Sequence, residues 1–334
     1  MDFLLNIDLK KHPNPIKYRD KILLTGSCFT EHIGNSLAAL KFDVLQNPNG
    51  ILFGPDAVCK SLLAYKDKKI YQEEDLFLLN EVWYSWDHHS RYSHTSREAA
   101  LQLINVSQEQ AHDCLKSANW LVITLGSAFS YALTEEADRA TAGVNSRVAN
   151  CHRAPASWFR KEMLEISAIV DMLHNCIGEI RQMNPALQII FTISPVRHIR
   201  DGVVENNRSK ARLIEAVHQI VSSMENTYYF PAYELVIDVL RDYRFYDIDL
   251  VHPNYPATSY VLEKFTDSCI AEESRLLMKE IRQIINARKH RPLQPGTNAH
   301  RQFLLQSLEK VKQVQQQYPF LNLKEEIHYF SNHT

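Results

Sequence analysis

The chain has 334 residues, a net charge near −2 and 45% apolar residues, enough for a sizeable core and too many for a disordered segment. The charge offers neither a basic stripe for nucleic acid nor an acidic tail for docking. The first residues, Met-Asp-Phe-Leu-Leu-Asn-Ile-Asp, lack a basic region and a long apolar run, so no signal peptide is expected. No stretch approaches the roughly 18 apolar residues of a spanning helix. Six scattered cysteines show no Cys-x-x-Cys spacing, which suits reduced thiols in a cytoplasmic protein rather than a zinc ribbon or a disulfide framework.

Residues 1–20 read as an extended lead-in. The apolar run 22–25 predicts a buried strand of the parallel type, followed by Gly26-Ser27-Cys28 and a helix whose Phe29, Ile33, Leu37 and Leu40 share one face. A second strand over 42–45 ends in Asn47-Pro48-Asn49-Gly50, a turn signal, and Pro55 suits the first turn of a helix over 55–66. The aromatic-rich stretch 69–94 predicts a β-hairpin and a polar loop inserted in the domain. A helix over 96–117 leads to a strand at 120–125, ending at Gly126.

Residues 127–155 read as irregular, and 157–184 as one long helix. Residues 188–193 form a fourth core strand ending in Ser194-Pro195-Val196-Arg197-His198. A helix over 206–224, a fifth strand over 227–230 and a short helix over 233–240 precede Asp249-Leu250-Val251-His252-Pro253. The chain is then helical to about 290, with a linker at 292–299 and a further helix beyond it. The alternation of strands and helices predicts an α/β fold: a mostly parallel sheet with helices on both faces. Right-handed crossovers put Ser27, Cys28, Asn47–Gly50, Gly126 and 194–198 on one edge, where ligands bind in open α/β sheets.

Two nucleophile-type side chains, Ser27 and Cys28, thus stand on a sharp strand-to-helix turn, and Asp249 and His252 supply an acid and a base three residues apart. That combination points to acyl transfer. A thiol at a helix N-terminus meets unpaired N–H groups that favour thiolate. The N–H groups of Cys28 and Gly50 are candidate oxyanion donors. Arg197 and His198 could bind an anionic group or make an ordinary salt bridge. His88, His89 and His94 have no common metal spacing, and Trp83, Trp86 and Tyr92 read either as a stacking wall or as a small core. Neither a metal nor an organic cofactor is expected.

Gly26-Ser27-Cys28-Phe29, with Thr30 in place of the final Ala of the motif, resembles the GSCFA family. So do Asn47-Pro48-x-Gly50, Ser85-Trp86-Asp87-x-His89-Ser90, Asn150-Cys151-His152, Ser194-Pro195-Val196-Arg197-His198 and Asp249-x-x-His252-Pro253. That family is similar to the SGNH/GDSL hydrolases. The resemblance implies a flavodoxin-like three-layer α/β/α sandwich of SGNH-hydrolase type, carrying the hairpin insertion and a helical C-terminal extension. It implies a catalytic domain over 1–290, with its core at about 20–255, and an extension over 291–334.

The SGNH blocks map onto Cys28 or Ser27 as nucleophile, Gly50 (or Gly54) as the second block, Gly126-Ser127-Ala128 as the third, and Asp249 with His252 as the fourth. Ala128 stands where that group has an oxyanion-hole Asn; Ser127 or Asn150 could substitute. An ungapped alignment puts Cys28 in the nucleophile's place, and a one-residue shift restores Ser27. The implied activity is hydrolysis or transfer of small acyl esters, carbohydrate esters among them. Cys28, Gly50, Gly126 and Ser127 are the oxyanion candidates, and Trp86, His89, Asn150, His152, Arg197 and His198 the substrate-binding ones. The alternative is a non-catalytic ligand-binding module on the same scaffold. The partner expected is a small-molecule ester, with no nucleic acid and no membrane; oligomeric state is open.

Overall fold

A computed structural model describes residues 5–140 and 146–333. The first four residues, on which part of the leader expectation rests, and 141–145, within the stretch expected to be irregular, lie outside the described residues. The chain divides into two compact units. The larger comprises 1–9, 21–35 and 44–265; the smaller comprises 10–20, 36–43 and 266–334.

The larger unit is built on a five-stranded sheet. Its strands are β1 (Lys21–Gly26), β2 (Asp43–Gln46), β3 (Trp120–Leu125), β4 (Gln188–Ile193) and β5 (Thr227–Tyr229). The order across the sheet is β2-β1-β3-β4-β5. Leu23 pairs with Leu121, Leu121 with Ile189, and Tyr229 with Phe191, all in parallel. Odd-numbered residues Leu23, Leu121, Ile123, Ile189 and Phe191 join one apolar cluster, while Ile22, Leu24, Val122 and Ile190 take the opposite face and are equally buried. Burial on both faces is why these strands read as unbroken apolar runs. Each fully buried side chain of this kind contributes about 1.5–3 kcal/mol.

The connecting helices are α1 (Cys28–Ala39), α2 (Pro55–Lys66), α3 (Arg97–Ser117), α4 (Ile166–Met183), α5 (Val203–Ser223) and α6 (Tyr255–Cys269). Helix α4 packs against α2 and α5. The fold is α/β, with a mostly parallel central sheet flanked by helices. No described helix is long and apolar enough to cross a membrane.

The hairpin of the aromatic stretch pairs Leu76–Leu79 with Val82–Ser85 in antiparallel register. Its two turn residues, Asn80 and Glu81, both have positive φ, which matches the right-handed strand twist. Two expectations change. Residues 127–155 are not irregular throughout, and the long helix starts at Ile166 rather than near 157. Phe129–Leu133 pairs antiparallel with both Arg147–Val148 and Phe159–Met163 in a separate three-stranded sheet. The charged run Arg160-Lys161-Glu162 looks helical by composition, but it is the less buried strand of that sheet.

The smaller unit holds α7 (Glu272–Lys289), α8 (Asn298–Gln317) and α9 (Lys324–His333). Leu277, Met278, Ile281, Leu304, Val311, Val314 and Phe330 are buried in it. Tyr18 stacks on Phe42 at 4.1 Å and donates to the Leu40 carbonyl. Glu326, almost fully buried, pairs with Lys41 at 2.9 Å and with Arg288 at 3.0 Å.

Candidate active site

The strand-to-helix turn after β1 is held by close backbone contact. Gly26 has φ +136°, and a Cβ there would lie 2.1 Å from the Thr124 carbonyl oxygen. Ser27 N–H donates to that same oxygen. The Gly26 N–H is taken by Asn47 Oδ1 and its carbonyl by the Leu52 N–H. Ser27 is fully buried and its Oγ has no hydrogen-bond partner among the described residues. Cys28, the first residue of α1, is partly exposed. Of the two candidates, only Cys28 reaches solvent.

Burial pushes the Cys28 thiol above its ordinary range. The Lys210 charge and the N–H groups of Cys28 and Phe29 pull it back without cancelling that effect. The expected thiolate-favouring helix N-terminus is therefore present, but desolvation outweighs it.

The loop before α6 carries the acid and the base. Asp249 Oδ2 lies 2.6 Å from His252 Nδ1, and Asp249 Oδ1 accepts the N–H groups of Val251 and His252. These contacts hold the Asp249 carboxyl down at about 2. The loop is fixed to the end of β4 by the Arg197 N–H, which donates to the Val251 carbonyl. The Arg197 guanidinium also lies 4.4 Å from the Tyr246 ring and 5.3 Å from the Tyr243 ring.

Lys210 is a participant that sequence reasoning missed. It is 1% exposed on α5, and Nζ donates to the Gly126 carbonyl at 2.6 Å and the Ser194 carbonyl at 2.7 Å. Burial lowers it to about 7. A signal existed: Asn206, Lys210, Leu213, Val217 and Ile220 recur at helical spacing, so Lys210 falls on the stripe that faces the core.

His198 packs edge-on against Phe53 at 5.0 Å, and its Nε2 is buried without a hydrogen-bond partner among the described residues. Burial first, then the Lys210 and His252 charges, lower it to about 4. The His252 charge also acts on His32 of α1. A Cβ on Gly126 would meet Phe53 Cδ1 at 3.1 Å, Ser27 Cβ at 3.3 Å and His198 Nε2 at 3.4 Å. Ser27, Gly126, Lys210 Nζ and His198 thus gather at the C-terminal edge of the sheet, Cys28 follows Ser27 there, and the loop of the Asp249–His252 pair is tied to the end of β4 through Arg197. No hydrogen bond joins His252 to Ser27 or Cys28 among the described residues, and such contacts often tighten only once substrate is bound.

A cavity of about 440 Å³ opens beside this edge, its wall including Phe53, Ser127, Phe129, Tyr131, Asn150, Cys151, Arg197, His198, Arg200 and Val251. Its two acids are neutralised. Asp56 accepts from Ser130 and lies 3.7 Å from Arg147, and Asp201 pairs with Lys161. Arg197 and Arg200 have no carboxylate partner among the described residues.

Several expected roles are corrected. The Gly50 amide closes its own turn on the Asn47 carbonyl, and the Gly126 and Ser127 amides both donate to the Phe53 carbonyl, so none of the three is a free oxyanion donor. Ser127 Oγ accepts from the Phe129 N–H. The Cys28 N–H, at the start of α1, has no intrahelical acceptor and keeps its candidacy. Trp86 does not line the cavity; it stacks on Phe77 at 3.7 Å in a small aromatic core. His152 borders a second cavity of about 590 Å³, but its Nε2 contacts the Ser85 carbonyl and its Nδ1 contacts Ser90 Oγ. Asn150 Oδ1 takes the His152 N–H. His88, His89 and His94 do not converge: His88 meets Ser85 Oγ, and the other two accept from the backbone N–H groups of Arg91 and Ser96.

A doubly wound α/β protein with an Asp–His pair and a nucleophile-type turn at one sheet edge is the class that fold and site define. The model of the GSCFA family matches residues 21–265, and that of the GSCFA domain protein C-terminal domain matches 281–333. The chain belongs to the GSCFA family. Among solved structures it is similar to an acetyl xylan esterase, Est2A, from the rumen bacterium Butyrivibrio proteoclasticus, with 11% identity and a TM-score of 0.35. The match covers 77% of this chain and 64% of the esterase, so the chain spans less than two thirds of that enzyme's length. Comparison with curated proteins gives no match.

Proposed function

We propose that this protein is an acyl-ester hydrolase or acyltransferase that works through a thioester on Cys28. The observation that carries this reading is the Asp249–His252 contact. With Nδ1 held by Asp249, the His252 Nε2 lone pair is left to accept a proton, on the same sheet edge as the thiol. Cys28 Sγ adds to the ester carbonyl and its proton passes to His252. The carbon–oxygen bond then breaks, and His252 returns the proton to the departing alcohol. Water or a second hydroxyl gives its proton to His252 and attacks the thioester, the carbon–sulfur bond breaks, and Sγ takes that proton back from His252 as the acid or new ester departs. The Cys28 N–H is the donor at hand for the oxyanion.

The 440 Å³ cavity falls in the range of small-molecule sites. Its aromatic wall and unneutralised Arg197 and Arg200 suit a small ester that also bears an anionic group, carried by a sugar or another compact scaffold.

A second reading, a ligand-binding module that does no chemistry, is favoured by the three engaged amides and by the upward push on the thiol. Paired chemical probes separate the two. On the catalytic reading, iodoacetamide marks Cys28 ahead of the other cysteines at neutral pH, and His252→Ala slows that marking. A fluorophosphonate leaves the buried Ser27 untouched. Uniform labelling unaffected by His252→Ala supports the binding module.

A further inference from the structure

The second cavity, of about 590 Å³, adjoins the first: Tyr131, Asn150, Cys151, Arg200 and Asp201 line both. A ligand seated beside the sheet edge can therefore reach into it. Tyr131 pairs with Lys161 across the three-stranded sheet, and Phe159 stands two positions from Lys161, so the three share one face. The Tyr131 and Phe159 rings meet edge to face at 6.5 Å and form an aromatic corner against which a flat ring can pack. Among the described residues that line this cavity, the one carboxylate is Asp201, and it pairs with Lys161. Arg153 and Arg200 have no carboxylate partner among the described residues, so the cavity keeps an excess of positive charge.

The turn that brings Arg153 to this wall is held under strain. His152 and Arg153 are consecutive non-glycine residues in the left-handed region, with φ of +48° and +60°, where a Cβ crowds the backbone. Contacts to the hairpin and the segment after it keep them there. The His152 Nε2–H donates to the Ser85 carbonyl at 2.8 Å, which leaves Nδ1 to accept from the Ser90 hydroxyl at 3.1 Å. The His152 N–H donates to Asn150 Oδ1, and the Ala154 N–H to the Cys151 carbonyl. Both ring nitrogens are thus engaged in structure, and His152 acts as the clamp of a turn that places Cys151 and Arg153 in the cavity wall. Strained backbone over-determined in this way is characteristic of sites that hold a ligand.

We propose that the second cavity is an anion subsite of the same active site, in which Arg153 and Arg200 hold a phosphate or carboxylate at the end of the substrate remote from the ester bond, while a ring of its scaffold packs in the Tyr131–Phe159 corner. This rests on the acyl-ester reading and says where the charged end of that substrate lies. Guanidinium forks match either anion with paired N–H donors. The first cavity suits the charge less well: its Arg197 guanidinium lies over the Tyr246 ring at 4.4 Å, and the Asp56 carboxylate stands in its wall. The substrate class is therefore an ester that spans both cavities, with a ring between the reacting carbonyl and the charge.

The probe is phenyl phosphate, a ring with one anionic group. The readout is protection of the partly exposed Cys151 thiol, which lines both cavities, from iodoacetamide in the full-length protein, followed by peptide mass mapping. Alkaline pH is used, because burial pushes that thiol up to about 11. Phenyl phosphate should slow Cys151 alkylation saturably, and the neutral benzyl alcohol should not. Arg153→Gln, at an exposed position, should weaken the protection about fivefold or more, and Arg197→Gln should leave it unchanged. Benzoate in the same assay separates the two anions: stronger protection by phenyl phosphate assigns the subsite to a phosphate, and stronger protection by benzoate assigns it to a carboxylate. Equal protection by benzyl alcohol, no protection by either anion at millimolar concentration, or a loss in Arg197→Gln as large as that in Arg153→Gln overturns the proposal. None of these readouts needs ester turnover, so failure of the subsite and failure of the acyl-transfer reading are scored separately.

Discussion

Asp249 grips His252 twice: its Oδ2 lies 2.6 Å from the imidazole Nδ1, and its Oδ1 takes the His252 backbone N–H at 3.0 Å. One carboxylate thus fixes both the tautomer of the ring and the turn that presents it. Asp249→Asn should keep the turn but offer Nδ1 the wrong partner. We expect turnover of a small activated ester to fall by about 10³–10⁴, with KM little changed. An equal loss in KM and kcat would instead mark Asp249 as a binding residue.

Gly26→Ala should be severe. The positive φ and the 2.1 Å approach to the Thr124 oxygen leave no room for a Cβ without moving β1 or β3. Backbone strain and overpacking together should cost about 3–5 kcal/mol. Urea denaturation checks the value, and a loss under 1 kcal/mol contradicts the geometry.

An Asn placed at position 128, where the SGNH hydrolases that the motifs resemble carry an oxyanion donor, should not raise rate. Ala128 is fully buried in the apolar cluster, with its N–H on Ser209 Oγ at 2.7 Å, so an Asn there would put an amide among apolar neighbours. Ala128→Asn should destabilise by about 1–3 kcal/mol and fail to raise turnover. A faster and equally stable variant would show that the third block can still serve as an oxyanion hole.

Three buried histidines give the fold an acid limit. His88, His152 and His198 are each lowered to about 4, chiefly by burial. The unfolded chain takes up protons at these positions near pH 6.5, well before the folded one does. Stability is therefore complete above about pH 6.5, declines as pH falls toward 4, and stops declining on this account below that. Each histidine is worth about 3 kcal/mol across the window. Denaturation at pH 7 and pH 5 should differ by about 2 kcal/mol for each histidine, since pH 5 lies inside the window, and His88→Gln should shrink the difference.

Ester preference should follow the unpaired arginines. Arg200→Ala should raise KM about fivefold for an ester bearing a carboxylate and leave a neutral ester of equal size unaffected. Equal effects on both would remove the anionic group from the substrate description.

The parts of the molecule legible in the sequence are those set by local pattern. β3 and β4 are apolar runs with clear stops, and Asp249 and His252 stand only three positions apart. The parts that escaped depend on distant partners. Phe129–Leu133 and Phe159–Met163 are strands because they pair with each other, and the charges of 160–162 masked the second. The Gly50 amide looked available until its turn closed on Asn47. Aromatic composition does not say whether Trp86 faces a ligand or Phe77. Lys210 was readable as a charge on a buried stripe, but its partners, the Gly126 and Ser194 carbonyls, are brought to it only by the folded sheet edge.

The most direct test of acyl transfer is to trap the intermediate. Native protein is mixed with 4-nitrophenyl acetate, quenched in acid within the first turnover and mapped by peptide mass spectrometry. An acetyl group on Cys28, absent in Cys28→Ala and formed more slowly in His252→Ala, is the expected result. An unmodified Cys28, or acetylation at the same rate with His252 removed, contradicts a Cys28–His252–Asp249 acyl-transfer site.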